Sequence, residues 1–266
     1  FKAMELNLAN ALNRDQDASI DKAMIANMMV LPSETYLAEL FEVADIDAIH
    51  QAREQVACEI AACLKGPLLS VFKMNDQQGE YVASAEAIAS RSLRNAALAY
   101  LMKPADTELV SLCAAQFNKA SNMTDTGAAI RALVNSSNTA AQAVKHKALV
   151  EFYNRWADEA LVIDQWFAIQ ASCPLPGALA RVKALMQHPA FDMKNPNRMR
   201  SLLASFASQN TVNFHLLDGS GYAFLADCVI ELDSFNPQIA ARMLTPLTRW
   251  RKLDGTRQAL MKSQLQ

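Results

Sequence analysis

NPNRMRSLLASFASQNTVNFHLLDGSGYAFLADCVIELDSFNPQIAARMLTPLTRWRKL, residues Asn195–Leu253, is the stretch whose reading decides the fold. An Asn-Pro pair opens a helical pattern twice. Asn195 can cap the first helix with Pro196 at its opening position, and Asn236 with Pro237 repeats the device. Arginines follow each time. Arg198 and Arg200 fall within the first turn or so, where exposed amides already carry partial positive charge and a cation is disfavoured by roughly 0.3–1 kcal/mol. An anionic group is expected near them.

Working outward, apolar residues recur at spacings of three and four along the whole chain, and the alternation of a strand never persists. The spacing predicts helices near Lys2–Leu12, Ile20–Val30, Ser33–Val43 and Asp47–Leu64, with a break or bend at Gly66-Pro67 before Leu68–Met74. The polar run Asn75–Glu80 is the best internal division. From Ser84 the pattern becomes regular: Ser84–Lys103, Asp106–Ala120, Thr124–Val134, Thr139–Ala157 and Leu161–Ser172, then Gly177–Gln187, Pro196–Ser208, Gly221–Asp233, Pro237–Trp250 and Gly255–Gln264. Short connections join antiparallel neighbours, and stacked helical hairpins make a solenoid. No strict internal period is legible, so a globular helical bundle stays open as the alternative.

Composition agrees with helix. The chain has 52% hydrophobic and 20% charged residues but only 7 glycines in 266 positions, too few for the tight turns of a sandwich or barrel. A net charge of −2 and a pI near 6.1 supply no basic field for a polyanion, so no nucleic-acid partner is expected. Apolar runs such as Ala23–Leu31 fall far short of the roughly 20 residues that cross a bilayer, so no membrane partner is expected either. Five scattered cysteines without a Cys-x-x-Cys pair suggest free buried thiols and a reducing, cytoplasmic location. The chain opens on Phe1 and stops at Gln266 inside a helical pattern, which suggests a piece of something larger.

The Asn-Pro segments, together with RSLRNAALAYL at Arg91–Leu101, ASNMTD at Ala120–Asp125 and LVIDQWFAIQAS at Leu161–Ser172, resemble the C-terminal helical domain of the bacterial aminopeptidase N family, zinc peptidases of the gluzincin class. The likeness runs over essentially all 266 residues and is least distinctive before Asn75. It implies an all-α fold, a superhelical array of antiparallel helix hairpins (an α-solenoid, HEAT- or armadillo-like), with residues 1–266 as one C-terminal domain of a larger zinc aminopeptidase. It also implies a monomer whose partners are the catalytic domain of the same polypeptide and peptide substrates. The domain would enclose the active-site chamber and control access to it. Arg200, Gln238 and Arg242, with Asn197 and Arg198, match segments that border that chamber. An internal ion pair, for example with Asp192 or Asp218, competes for each arginine.

The family's chemistry needs a His-Glu-x-x-His helix and a later glutamate, because histidines four apart share a face and leave one zinc position open. The four histidines, His50, His146, His188 and His215, contain no such pair, and the Gly-x-Met-Glu-Asn motif is missing. The expectation is therefore no catalytic residue and no cofactor in this chain, with zinc in the catalytic domain of the parent protein. Asp218-Gly219-Ser220-Gly221-Tyr222 is not a nucleophile elbow and reads as a turn. Phe152, Tyr153, Trp156, Trp166 and Phe167 read as core, Met24, Met28 and Met29 as interface filler, and the pairs Glu39/Glu42 and Asp45/Asp47 as solvated helix ends. A self-standing helical-repeat scaffold that binds a peptide on its concave face is the rival function. An upstream zinc motif in the encoding gene separates the two.

Overall fold

The structure, a computed structural model, describes residues 2–12, 21–77, 79–104 and 106–266. The chain is 74% helical, with no strand among the described residues. Phe1, and Ile20 at the head of the second expected helix, lie outside them. Two compact units are present, residues 1–31 with 53–150 and residues 32–52 with 151–266. The division therefore does not fall at Asn75–Glu80, which lies wholly within the first unit.

In the first unit the helices are α1 (Lys2–Leu12), α2 (Lys22–Met28), most of α4 (Ile46–Cys63), α5 (Lys65–Met74), α6 (Ala85–Leu101), α7 (Thr107–Lys119), α8 (Met123–Asn135) and the first part of α9 (Thr139–Trp156); α3 (Glu34–Glu39) belongs to the second. α6 is the central rod. Ser84 starts it, its hydroxyl accepting from the Ala87 amide, and Leu93, Ala97, Leu98 and Leu101 bury one face against α2, α5 and α8. Asp106 and Asn122 cap α7 and α8 in the same way and make them a hairpin. The break before α5 comes at Leu64, two residues ahead of Gly66, and α4 and α5 meet at 77°. Pro67 explains it: the ring has no N–H and collides with the carbonyl four residues earlier, that of Cys63, so the helix must end there.

The second unit continues with α10 (Ala160–Ala171), α11 (Ala178–Met186), α12 (Pro196–Met199), a π-helical turn at Arg200–Ala204, α13 (Ser205–Gln209), α14 (Thr211–Phe214), α15 (Ser220–Asp233), α16 (Pro237–Met243), α17 (Thr245–Thr248) and α18 (Gly255–Ser263). Ile163, Phe167, Val182, Leu202, Phe206, Phe214, Tyr222 and Leu225 form its core. The single helix expected over Pro237–Trp250 is instead α16, α17 and a 3-10 turn at Trp250–Lys252. Pro246 cannot donate into a continuous α-helix and restarts it. α14 had no expected counterpart.

The Asp218–Tyr222 segment is a packed turn. The Asp218 carboxylate accepts from the Ser220 amide at 2.9 Å, and Gly219 takes φ +69, the left-handed region that favours glycine. At Gly221 a Cβ would stand 2.4 Å from the Phe214 carbonyl oxygen. Tyr222 is fully buried, its hydroxyl 2.8 Å from His215 Nδ1. Phe152, Trp166 and Phe167 are buried as expected, but Met24 and Met28 are exposed while only Met29 of that set is core. Of the five free cysteines, Cys113, Cys173 and Cys228 are buried and Cys58 and Cys63 exposed. α4 therefore presents both of its thiols outward, against the expectation that all five would be buried.

Candidate functional site

The five residues singled out in the sequence all belong to the second unit. Asn195 caps α12, its side chain accepting from the amides of Asn197 and Arg198, with Pro196 at the first position. Beyond that cap the helix sorts its arginines. Arg198 shares the inward face of Met199, Leu202 and Leu203 and is buried, whereas Asn197 and Arg200, three apart, share the outward one.

Arg198 has its anion inside the fold. Nε stands 2.9 Å from Asp164 Oδ1 on α10, Nη2 donates to the Ala160 carbonyl at 3.4 Å, and the guanidinium lies 5.2 Å from the centre of the Phe167 ring. The partner is Asp164 and not Asp192 or Asp218. Beside the pair, His188 meets Tyr153 edge-on at 4.7 Å and accepts from the Ala190 amide through Nδ1 at 3.1 Å. That bond fixes a neutral ring protonated at Nε2. Burial, and then the nearby Arg198 charge, hold its pKa below the usual histidine value.

Arg200 opens the π-helical turn and is exposed. On α16, Asn236 accepts from the Ile239 amide, Pro237 takes the first turn, and Ile239, Ala240 and Met243 bury one face. Gln238 and Arg242, four apart, share the exposed face. Neither Arg200 nor Arg242 makes an ion pair among the described residues, and no hydrogen bond joins the Asn197–Arg200 face to the Gln238–Arg242 face. Among the described residues, neither guanidinium faces a carboxylate. Sequence reasoning missed Asp164, although a lone acid inside the apolar run Leu161–Phe167 was its signal.

Near the start of α14 a cavity of about 240 Å³ is lined by Glu34, Thr211, His215, Arg249 and Lys252. Glu34 accepts from the Thr211 hydroxyl and stands 2.7 Å from His50 Nδ1. A nucleophilic triad needs the imidazole between hydroxyl and acid; here the acid is in the middle. The cluster is a clasp that ties residues 32–52 to α14. Glu39 is 3.4 Å from Arg249, and Asp47 is 2.6 Å from Arg257, which also binds Asp254 at 2.8 Å and the His215 carbonyl at 2.7 Å. Two of the acids read as solvated helix ends are thus ion-paired.

Among the described residues no group of three or more histidine, cysteine or acidic side chains is placed to hold a metal ion. The histidines stand apart: His50 on Glu34, His188 in the aromatic cluster, His215 on Tyr222, and His146 exposed on α9. This donor set does not fit a zinc site.

The class that these features define is an all-α helical-repeat fold, helical hairpins stacked as a solenoid, with two exposed arginines and, among the described residues, no ion pair to them and no catalytic constellation. Residues 3–266 match the family described as "Domain of unknown function (DUF3458_C) ARM repeats", and the chain belongs to that family. It is 42% identical over 252 residues to Aminopeptidase N of Escherichia coli (strain K12), covering 94% of this chain and 28% of the relative. It is 39% identical over 263 residues to Aminopeptidase N of Caulobacter vibrioides, covering 98% of this chain and 30% of the relative. A crystal structure of Legionella pneumophila aminopeptidase A in complex with aspartic acid superposes with a TM-score of 0.84 at 30% identity, covering 98% of this chain and 31% of that one. The chain thus spans under a third of its relatives' length and corresponds to the C-terminal domain of aminopeptidase N-like proteins.

Proposed function

We propose that this chain is one functional domain of a larger cytoplasmic, monomeric zinc aminopeptidase, an enzyme that removes N-terminal amino acids from peptides. In this reading it packs on the catalytic domain, encloses the active-site chamber and controls which chains enter. The observation that carries the reading is the pairing of near-complete coverage of this chain with less than a third of each aminopeptidase relative. Zinc and the groups that act with it belong to the rest of the polypeptide.

The exposed Arg200 and Arg242, with Gln238 and Asn197 beside them, are the chamber-lining residues of this proposal, and a free guanidinium fork suits a peptide's C-terminal carboxylate. Arg198, buried on Asp164, acts as a positioning residue that fixes the helix carrying Arg200. The test uses the full-length protein with Arg200→Ala and Arg242→Ala. Discrimination among peptide lengths should change by about tenfold for loss of a charge-assisted contact, with turnover of a small aminoacyl anilide unchanged. Equal losses on both substrates, or none on either, would remove these arginines from the chamber. Hydrolysis by the present chain alone would overturn the assignment of catalysis to the rest of the polypeptide.

A further inference from the structure

Among the described residues four arginines are buried: Arg91, Arg94, Arg198 and Arg257. Three of them face carboxylates. Arg94 is 2.9 Å from Asp76 and 3.8 Å from Asp125, Arg198 meets Asp164, and Arg257 meets Asp47 and Asp254. Arg91 is the exception. It is 3% exposed, yet its hydrogen bonds to described residues run from Nη1 to neutral acceptors, Gln77 Oε1 at 2.8 Å and the Val82 carbonyl at 3.1 Å, and its guanidinium lies 4.8 Å from the centre of the Tyr81 ring. Its Nε and Nη2 donate to no described residue. Neither atom is among the fully buried side-chain donors without a partner, so this edge of a largely buried guanidinium stays open to solvent with no counter-charge against it.

Arg91 lines a polar cavity of about 390 Å³ in the first unit, between the end of α5, α6 and the end of α7. Lys73 and Lys119 stand on its lip, exposed and without ion-pair partners among the described residues. Gln116, 4% exposed, also lines it; its Nε2 donates to Asn95 and to the Asp125 carbonyl, while Oε1 has no partner. The cavity carries four cations, Lys73, Arg91, Arg94 and Lys119, against three acids, Asp76, Glu80 and Asp125. One positive charge is left over.

We propose that this cavity binds a small monocarboxylate of amino-acid size, gripped by the Nε and Nη2 edge of Arg91. That edge presents two parallel N–H groups at the spacing of carboxylate oxygens. A monoanion matches the single excess charge, whereas a phosphate dianion would meet Asp76, Glu80 and Asp125. The site is independent of the peptidase reading, because it uses no residue of the proposed chamber and needs no metal.

The test follows the Arg91 Nε–H resonance of the arginine-labelled chain, assigned through its contact with the Tyr81 ring, in titrations with N-acetyl-L-alanine, its uncharged carboxamide and inorganic phosphate. N-acetyl-L-alanine should shift the signal saturably and the carboxamide should not. Arg91→Lys should weaken binding about tenfold or more, since two charge-assisted bonds are lost. Replacing Lys73 and Lys119 together by glutamine changes exposed residues only and should weaken binding severalfold with the fold intact. No saturable shift in the folded wild-type chain, an equal response to the carboxamide, or tighter binding of phosphate would overturn the proposal.

Discussion

His215→Asn should remove a pH-sensitive part of the stability of the second unit. His215 is wedged against Phe214 and Tyr222, with Nδ1 2.8 Å from the Tyr222 hydroxyl and the ring close to Arg257. Burial first, and the Arg257 charge second, push its pKa down from 6.5 to about 4; Asp254 and Asp47 oppose this only in part. A base with a depressed folded-state value favours folding in its neutral form, so its contribution is intact above 6.5 and is lost as pH falls toward 4. In that window the unfolded chain takes up a proton that the folded one refuses. At about 1.4 kcal/mol per pKa unit, the span corresponds to ~3 kcal/mol. Asparagine offers Tyr222 an acceptor and has no proton to gain. Urea unfolding from about pH 7 to about pH 4 should therefore show wild type losing ~3 kcal/mol more than the variant, and the imidazole should titrate near 4 by NMR. Parallel losses in the two proteins, or a midpoint near 6.5, would refute the reasoning.

Gly221→Ala should destabilise by about 1–3 kcal/mol or more, because the atom that its Cβ would strike, the Phe214 carbonyl oxygen, is backbone and cannot swing aside. Gly127→Ala in α8, where a Cβ would meet nothing within 4 Å, should instead stabilise by roughly 0.5–1 kcal/mol through helix propensity; thermal unfolding of the pair checks both signs. Asp164→Ala should cost ~3–5 kcal/mol by leaving Arg198 buried without its anion, and adding Arg198→Met should recover most of that loss. A double variant as unstable as the single one would show that packing, not charge, sets the cost.

Much of the fold was legible because its start signals are local. Ser84, Asp106, Asn122, Asn195 and Asn236 each cap the helix the sequence led one to expect, since a side-chain oxygen two or three residues before an unsatisfied amide needs no tertiary help. The misses were mostly tertiary. The π-helical turn at Arg200–Ala204 has no composition signal. The splitting of Pro237–Trp250 did have one, in Pro246, which has no N–H to donate inside a helix and suits the opening turn of a new one.

The candidate site turns on the same point. Arg198, Met199, Leu202, Leu203 and Phe206 make a helical stripe with the arginine at its head, and the structure buries all five. Periodicity alone therefore turned Arg198 inward, toward the internal ion pair held open for each arginine, but with Asp164 instead of Asp192 or Asp218. An inward arginine demands an inward acid, and Asp164 is the one charge in the run Leu161–Phe167. The pairing could have been read from these two apolar stripes, each interrupted by one charge of opposite sign. Arg200 and Arg242 follow the converse logic: each lies outside its helix's apolar stripe, so no internal partner was implied, and among the described residues none is present. Arg91 obeys neither rule. It lies within the buried stripe of α6, two residues before Leu93, yet among the described residues no acid meets it. A side chain positioned like a structural ion-pair member but lacking the second member is where the sequence pattern and the structure together call for a ligand.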